Sequence, residues 1–160
     1  MFSTDPRKPQ LGTRVIVKKG VVPNDVTRTD FTAYDKHRLA LGVPDGSRDM
    51  IVEKSTLLEC NLDRLNAISW TKGCYMGQEL TARMHHRGLV KKRLFPVTIT
   101  GLASAFGSVI TLNGEDVGDM RSSCGGVGLA LLNIEKAQAA IDSQTQLVCG
   151  ESKVMPYRIE

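Results

Sequence analysis

The segment SVITLNGEDVGDMRSSCGGVGLALL, residues 108–132, decides how the C-terminal half folds. Asn113-Gly114 is the residue pair best suited to positive φ at both central positions of a two-residue hairpin. Residues 108–112 and 115–123 are therefore expected to pair as antiparallel strands. Gly125-Gly126 turns the chain again, into residues 127–132. That apolar run is short enough for a strand buried on both faces. Upstream, residues 94–101 alternate like a strand. Downstream, residues 134–141 read as one or two helical turns, and 146–149 and 155–159 as short strands. Short strands with Gly-rich turns predict a small antiparallel barrel or sandwich.

The texture changes near Lys92, where a domain boundary is placed. Before it the pattern is mixed, so the class is α+β. Residues 78–87 read as a helix with Leu80 and Met84 at i, i+4 and Gly88 as its C′ residue. Glu79 and Arg83 are spaced as a helix ion pair. Residues 32–41 form a second helix, with Thr32 and Asp35 as a capping box and Gly42 as its stop. Tyr34, Arg38 and Leu41 share one face of it. The favoured reading packs Tyr34 and Leu41 while the Arg38 head group stays in water. Residues 14–19 are a β-branched strand, and Pro23-Asn24-Asp25 a turn. Residues 57–65 carry a leucine stripe that Asn61 and Asn66 interrupt, so they read as irregular with at most a short helix.

The chain has 160 residues, 41% hydrophobic and 24% charged, enough for one core or two small ones. The net charge of +4 is modest, so its location matters more than its size. No apolar run approaches the ~18 residues of a membrane helix, so no membrane partner is expected. The N-terminal residues have no signal-peptide pattern. Cys60, Cys74, Cys124 and Cys149 form no C-x-x-C pair and read as free thiols in a reducing compartment.

Chemistry concentrates between Trp70 and Thr81. Gly73 and Gly77 let the backbone bend and approach a ligand. Cys74 lies just before a predicted helix with Lys72 two residues away, a setting that favours a reactive or metal-binding sulfur. Glu79 can accept two N–H donors, although a helix pair with Arg83 alone explains it. His85 and His86 are adjacent and lack the i, i+4 spacing of a zinc site. Residues 83–93 hold five cations: Arg83, Arg87, Lys91, Lys92 and Arg93. They read as a solvated basic face, and RNA binding is not expected without a stacking platform.

Lys72-Gly73-Cys74-Tyr75-Met76-Gly77-Gln78-Glu79 resembles the K-G-C-Y-x-G-Q-E signature of the YgfZ-like family. These are folate-binding relatives of the glycine-cleavage T-protein, linked to iron–sulfur cluster assembly. Asp5-Pro6-Arg7, Asn61-Leu62-Asp63 and Gly128-Leu129-Ala130-Leu131-Leu132 extend the likeness over the whole chain. The resemblance implies the C-terminal part of a folate-binding aminomethyltransferase-like body over residues 1–92, then a β-barrel over 93–160. It implies tetrahydrofolate as cofactor, with Tyr34, Arg38, Lys72 and Glu79 in its pocket and Cys74 as the functional thiol. Ala40 stands where the T-protein has a pterin-reading glutamate. That argues against the alternative activity, a tetrahydrofolate-dependent one-carbon transferase. The implied role is a factor for iron–sulfur cluster assembly or repair, not a classical enzyme. It would work with the assembly machinery or with client iron–sulfur enzymes, including those that modify tRNA. The implied location is the bacterial cytoplasm, or the mitochondrial matrix in a eukaryote. Family members carry a further N-terminal region, and its absence from this chain would favour self-association.

Overall fold

The computed structural model describes residues 1–24 and 26–158. Six strands form a closed antiparallel barrel: β3 (Lys92–Thr100), β4 (Val109–Leu112), β5 (Glu115–Cys124), β6 (Val127–Asn133), β7 (Leu147–Cys149) and β8 (Ser152–Pro156). Their order around the barrel is β3-β6-β5-β4-β7-β8. The hairpin predicted at Asn113-Gly114 is present, with φ of 52° and 85° at the two residues. Only a primed turn has both angles positive, and its twist matches that of the flanking strands.

The interior is filled by Val97, Ile110, Val117, Met120, Ala130, Leu132, Leu147 and Val154. Helix α3 (Ile134–Asp142) adds Ala137 and Ala140 to that cluster. A second core lies on the outer wall, where Leu94 and Leu129 meet Leu39 and Cys60. Leu39 belongs to helix α1 (Phe31–Ala40), which lies across β3, β5 and β6. This explains the unbroken apolar run of β6: Ala130 and Leu132 face the interior cluster, while Leu129 and Leu131 join the outer one. Full burial of one such leucine stabilises the fold by about 1.5–3 kcal/mol.

Two irregularities shape the barrel. The β4–β5 register shifts between Ile110 and Thr111, and the β5–β6 register shifts between Met120 and Ser123. Gly118, in β5, has φ of 153°, and a Cβ there would lie 1.9 Å from the Leu131 carbonyl oxygen. Only glycine allows the β6 backbone to come so close.

Several boundaries differ from expectation. The N-cap of α1 is Asp30, whose carboxylate accepts from the Ala33 N–H at 3.0 Å. It takes the capping role assigned to Thr32 because its backbone is extended, φ −82° and ψ 174°, as an N-cap requires, whereas Thr32 already lies inside the helix. The strand expected over 14–19 is β2 (Thr13–Val15), paired with β1 (Phe2–Thr4). It is short because β1 has three residues, and Val15 already pairs with Phe2. The last strand runs Ser152–Pro156, beginning after the positive-φ turn at Gly150. Ile159 of the expected strand and Asp25 of the expected turn lie outside the described residues. Residues 57–66 are successive turns, with Asn61 and Asn66 at φ near 60°. These left-handed residues break the leucine stripe. No helix among the described residues is long and apolar enough to cross a membrane.

Candidate functional site

The loop before helix α2 (Gln78–His86) is held at both ends. At one end the Trp70 ring stacks on His85, centroids 4.0 Å apart. At the other, Gly77 caps α2 in the left-handed region, φ 83°. Between them the Tyr75 N–H donates to Gln78 Oε1 at 3.2 Å, and Lys72 Nζ sits 4.3 Å from the Tyr75 ring centre. Cys74 is exposed on this loop, and Met76 beside it is 99% exposed. Among the residues of α2 only Thr81 is buried. The arrangement presents a thiol outward from a fixed loop. All four cysteines are unpaired, and no group of three or more His, Cys, Asp or Glu among the described residues can hold a metal ion. Cys74 can therefore offer one sulfur ligand, with any further ligands coming from elsewhere.

Glu79 is bonded to Arg83, the helix pair its spacing predicted. Tyr34 is 39% exposed, its hydroxyl accepting from Arg7 Nη2 at 3.1 Å and its ring 6.0 Å from that of Phe31. Arg7 also forks onto Asp5, at 3.0 and 2.9 Å, and Arg14 reaches the same carboxylate at 2.9 Å. The Asp5-Pro6-Arg7 segment is thereby tied to α1.

Arg38 departs from both roles given to it. It is 2% exposed, so its head group is not in water. Each of its three nitrogens already has an acceptor. Nε donates to Asp35 at 2.6 Å, Nη1 to Asp49 at 2.7 Å and to the Val43 carbonyl at 3.0 Å, and Nη2 to Ser122 Oγ at 2.9 Å. Asp49, 1% exposed, also accepts from the Ser122 N–H at 3.0 Å and the Asp45 N–H at 2.7 Å. This buried network joins α1, the loop after it and β5. Arg38 therefore supports the face that carries Tyr34 and does not fit a direct ligand contact. Asp49 and Ser122 went unnoticed in the sequence, where nothing marks two polar residues so distant along the chain as partners.

Of the basic run, Arg93 is engaged bidentately by Asp63, at 2.8 and 2.9 Å. Arg83 is paired with Glu79, while Arg87 and Lys91 remain exposed. Among the described residues no hydrogen bond, ion pair or ring contact joins Tyr34 to Lys72, Cys74 or Glu79, so the sequence-predicted residues fall into two separately bonded groups, one on α1 and one around α2.

The carboxylates of the α1 region set a pH dependence. The hydrogen bond from Arg7 holds Asp5 well below the ordinary carboxylate range against the effect of its burial. Burial acts to raise Asp35, but bonds from Arg48 and Arg38 outweigh it and leave that group lowered too. A depressed folded value adds stability above the unfolded value, near ~4, and that stability is lost as pH falls through the folded values. The thermal midpoint is expected to be flat from about pH 7 to 5 and to fall below ~4. Asp5→Asn should make that fall shallower. A midpoint that does not change between about pH 5 and 3 would contradict this.

Residues 91–160 match the family described as CAF17, C-terminal beta-barrel domain. The chain is similar to human mitochondrial iron–sulfur cluster assembly factor IBA57, 41% identical over 145 residues, covering 86% of this chain and 40% of the relative. It is 39% identical to the mouse protein of the same name over 160 residues, covering 92% of this chain and 44% of the relative. With the Dictyostelium discoideum IBA57 homolog it shares 40% identity over 102 residues, covering 60% of this chain and 25% of the relative. The chain thus spans less than half the length of the curated relatives it matches.

Proposed function

We infer, from the kinship of this chain with the IBA57 iron–sulfur cluster assembly factors and from its CAF17-type barrel, that it acts in iron–sulfur cluster assembly. The observation that carries this reading is the exposed Cys74, held on a fixed loop with no metal set around it among the described residues. An exposed thiol of this kind suits a factor that contributes one ligand while a partner contributes the rest. The partners would be the assembly machinery and client iron–sulfur enzymes, tRNA-modifying ones among them. The location would be the mitochondrial matrix in a eukaryote, following the relatives' names.

Cys74→Ala tests the reading. In cells lacking their own IBA57 relative, the unchanged chain should restore the activity of an iron–sulfur enzyme. The variant should restore it at least about tenfold less, with an unchanged thermal midpoint, because an exposed side chain adds little to stability. Equal restoration by the variant would refute the role of the thiol.

Tetrahydrofolate is the accompanying proposal, and it rests on the family resemblance. Tyr34 offers an exposed ring, Lys72 a cation for a glutamyl carboxylate and Glu79 a carboxylate for N–H donors. Since these lie in two unconnected groups, calorimetry on this chain alone should show weak binding or none. Tight binding would mean that the two groups do meet. Self-association through the β1–β2 pair is also proposed. All six of its residues are exposed, Phe2 by 67%, and a two-stranded sheet leaves both outer edges unpaired.

A further inference from the structure

We propose that the cavity between the turns at residues 61–65, β3, α3 and the C-terminal segment binds a small molecule with a flat apolar body and an acid group, carboxylate or phosphate. Its volume is about 730 Å³. That lies within the roughly 300–1,000 Å³ usual for ligand sites. Leu41, Leu65, Phe95 and Ile134 give it apolar walls. The Tyr157 hydroxyl is engaged by the Ala40 carbonyl at 3.0 Å, so this residue brings its ring rather than a free donor.

The charge at the lining is one-sided. Lys8, Arg64, Arg93 and Arg158 line the cavity, and among the described residues no carboxylate does. Two of these cations are answered from outside the lining: Arg93 by Asp63, and Arg158 by Asp142 at 2.7 Å. The side chains of Lys8 and Arg64 make no hydrogen bond or ion pair among the described residues. Desolvation pushes both below their ordinary values, and for Arg64 the neighbouring Arg93 charge adds to it. Two cations with no hydrogen-bonded partner among the described residues, beside an apolar cleft, are a complementary setting for an amphiphilic anion, although the nearby Asp63 charge partly offsets that of Arg64. None of Tyr34, Arg38, Lys72, Cys74 or Glu79 lines the cavity, so this site is separate from the thiol loop.

Calorimetry on the full chain with three probes tests the proposal: 1-naphthyl phosphate, 1-naphthoate and the neutral 1-naphthol. Either or both anions should bind at least about tenfold more tightly than the naphthol, because a hydrogen bond to a charged group is worth about that factor. The better anion identifies the acid group. Lys8→Gln and Arg64→Gln should each weaken anion binding by about tenfold, while the melting midpoint stays fixed. Arg87→Gln, an exposed cation away from the cavity, should leave binding unchanged. Naphthol binding as tightly as the anions would reduce the site to an apolar cleft. Unchanged anion affinity in the Lys8→Gln/Arg64→Gln double variant would place binding elsewhere. Absence of binding by both anions would also overturn the proposal.

Discussion

Gly118→Ala is expected to destabilise the barrel by roughly 3–5 kcal/mol, the sum of overpacking and backbone strain. The added methyl would stand 1.9 Å from the Leu131 carbonyl oxygen and 2.9 Å from its carbonyl carbon. Neither atom can move aside as a side-chain tip can, because β6 is hydrogen-bonded to β3 on its other edge. One of the two strands must shift, and both carry interior residues. Against a total stability of about 5–15 kcal/mol this is a large fraction. For a chain of this size it corresponds to a fall of about 10 °C in melting midpoint. Gly114→Ala is the control. It shares a positive φ, 85°, but has no heavy atom within 4 Å of the added carbon. It should cost about 1 kcal/mol, from conformational strain alone. Urea unfolding followed by circular dichroism separates the two. Equal losses would show that strand proximity at Gly118 is not the cause.

Arg38→Ala is expected to cost about 3–5 kcal/mol, the usual loss when one partner of a buried ion pair is removed. The damage centres on Asp49, which would stay buried with its Ser122 and Asp45 donors but no cation. Asp35 retains Arg48, at 2.7 Å, and suffers less. Arg38→Met combined with Asp49→Leu should recover part of the loss, since an apolar pair leaves no buried charge uncompensated. Had Arg38 been a ligand contact, its removal would lower affinity while leaving the melting midpoint untouched. A midpoint within one or two degrees of the unchanged protein would therefore return it to that role.

The barrel was legible in the sequence because its signals are local. Asn113-Gly114 dictates its own turn chemistry, and the run after Gly126, bounded by a Gly-Gly turn and short, fits a buried strand better than a helix. Helix α2 was legible for the same reason, through Leu80 and Met84, the Glu79–Arg83 spacing and the stop at Gly88. Strand ends depend on a partner's length, so β2 was overestimated. The α1 cap turned on a competition between Asp30 and Thr32 that only backbone geometry decides. The candidate site was half legible. The loop bounded by Gly73 and Gly77 was visible, but the exposure of Cys74 on it is a finding of the structure. The fate of Arg38 was hidden, because Asp49 is 11 residues away and Ser122 is 84. The interruption at Asn61 was visible, but not that its side-chain N–H would donate to the Leu94 carbonyl at 2.6 Å and fasten these turns to β3.

The Arg38 network also sets an order of events during folding. Helix α1 has 10 residues, below the length at which a helix persists alone in water. Its anchors, Ser122 on β5 and Leu129 on β6, come into place only when those strands have paired. Hairpin closure at Asn113-Gly114 is local and fast, whereas joining Arg38 to Ser122 closes a loop of 84 residues. The β4–β5 hairpin is therefore expected to form early, and α1 to dock only after β5 and β6 have paired. Substitutions at Arg38 or Leu39 are expected to act mainly on the rate of unfolding, and those in the β4–β5 hairpin on the rate of folding, as stopped-flow refolding and unfolding in urea would show.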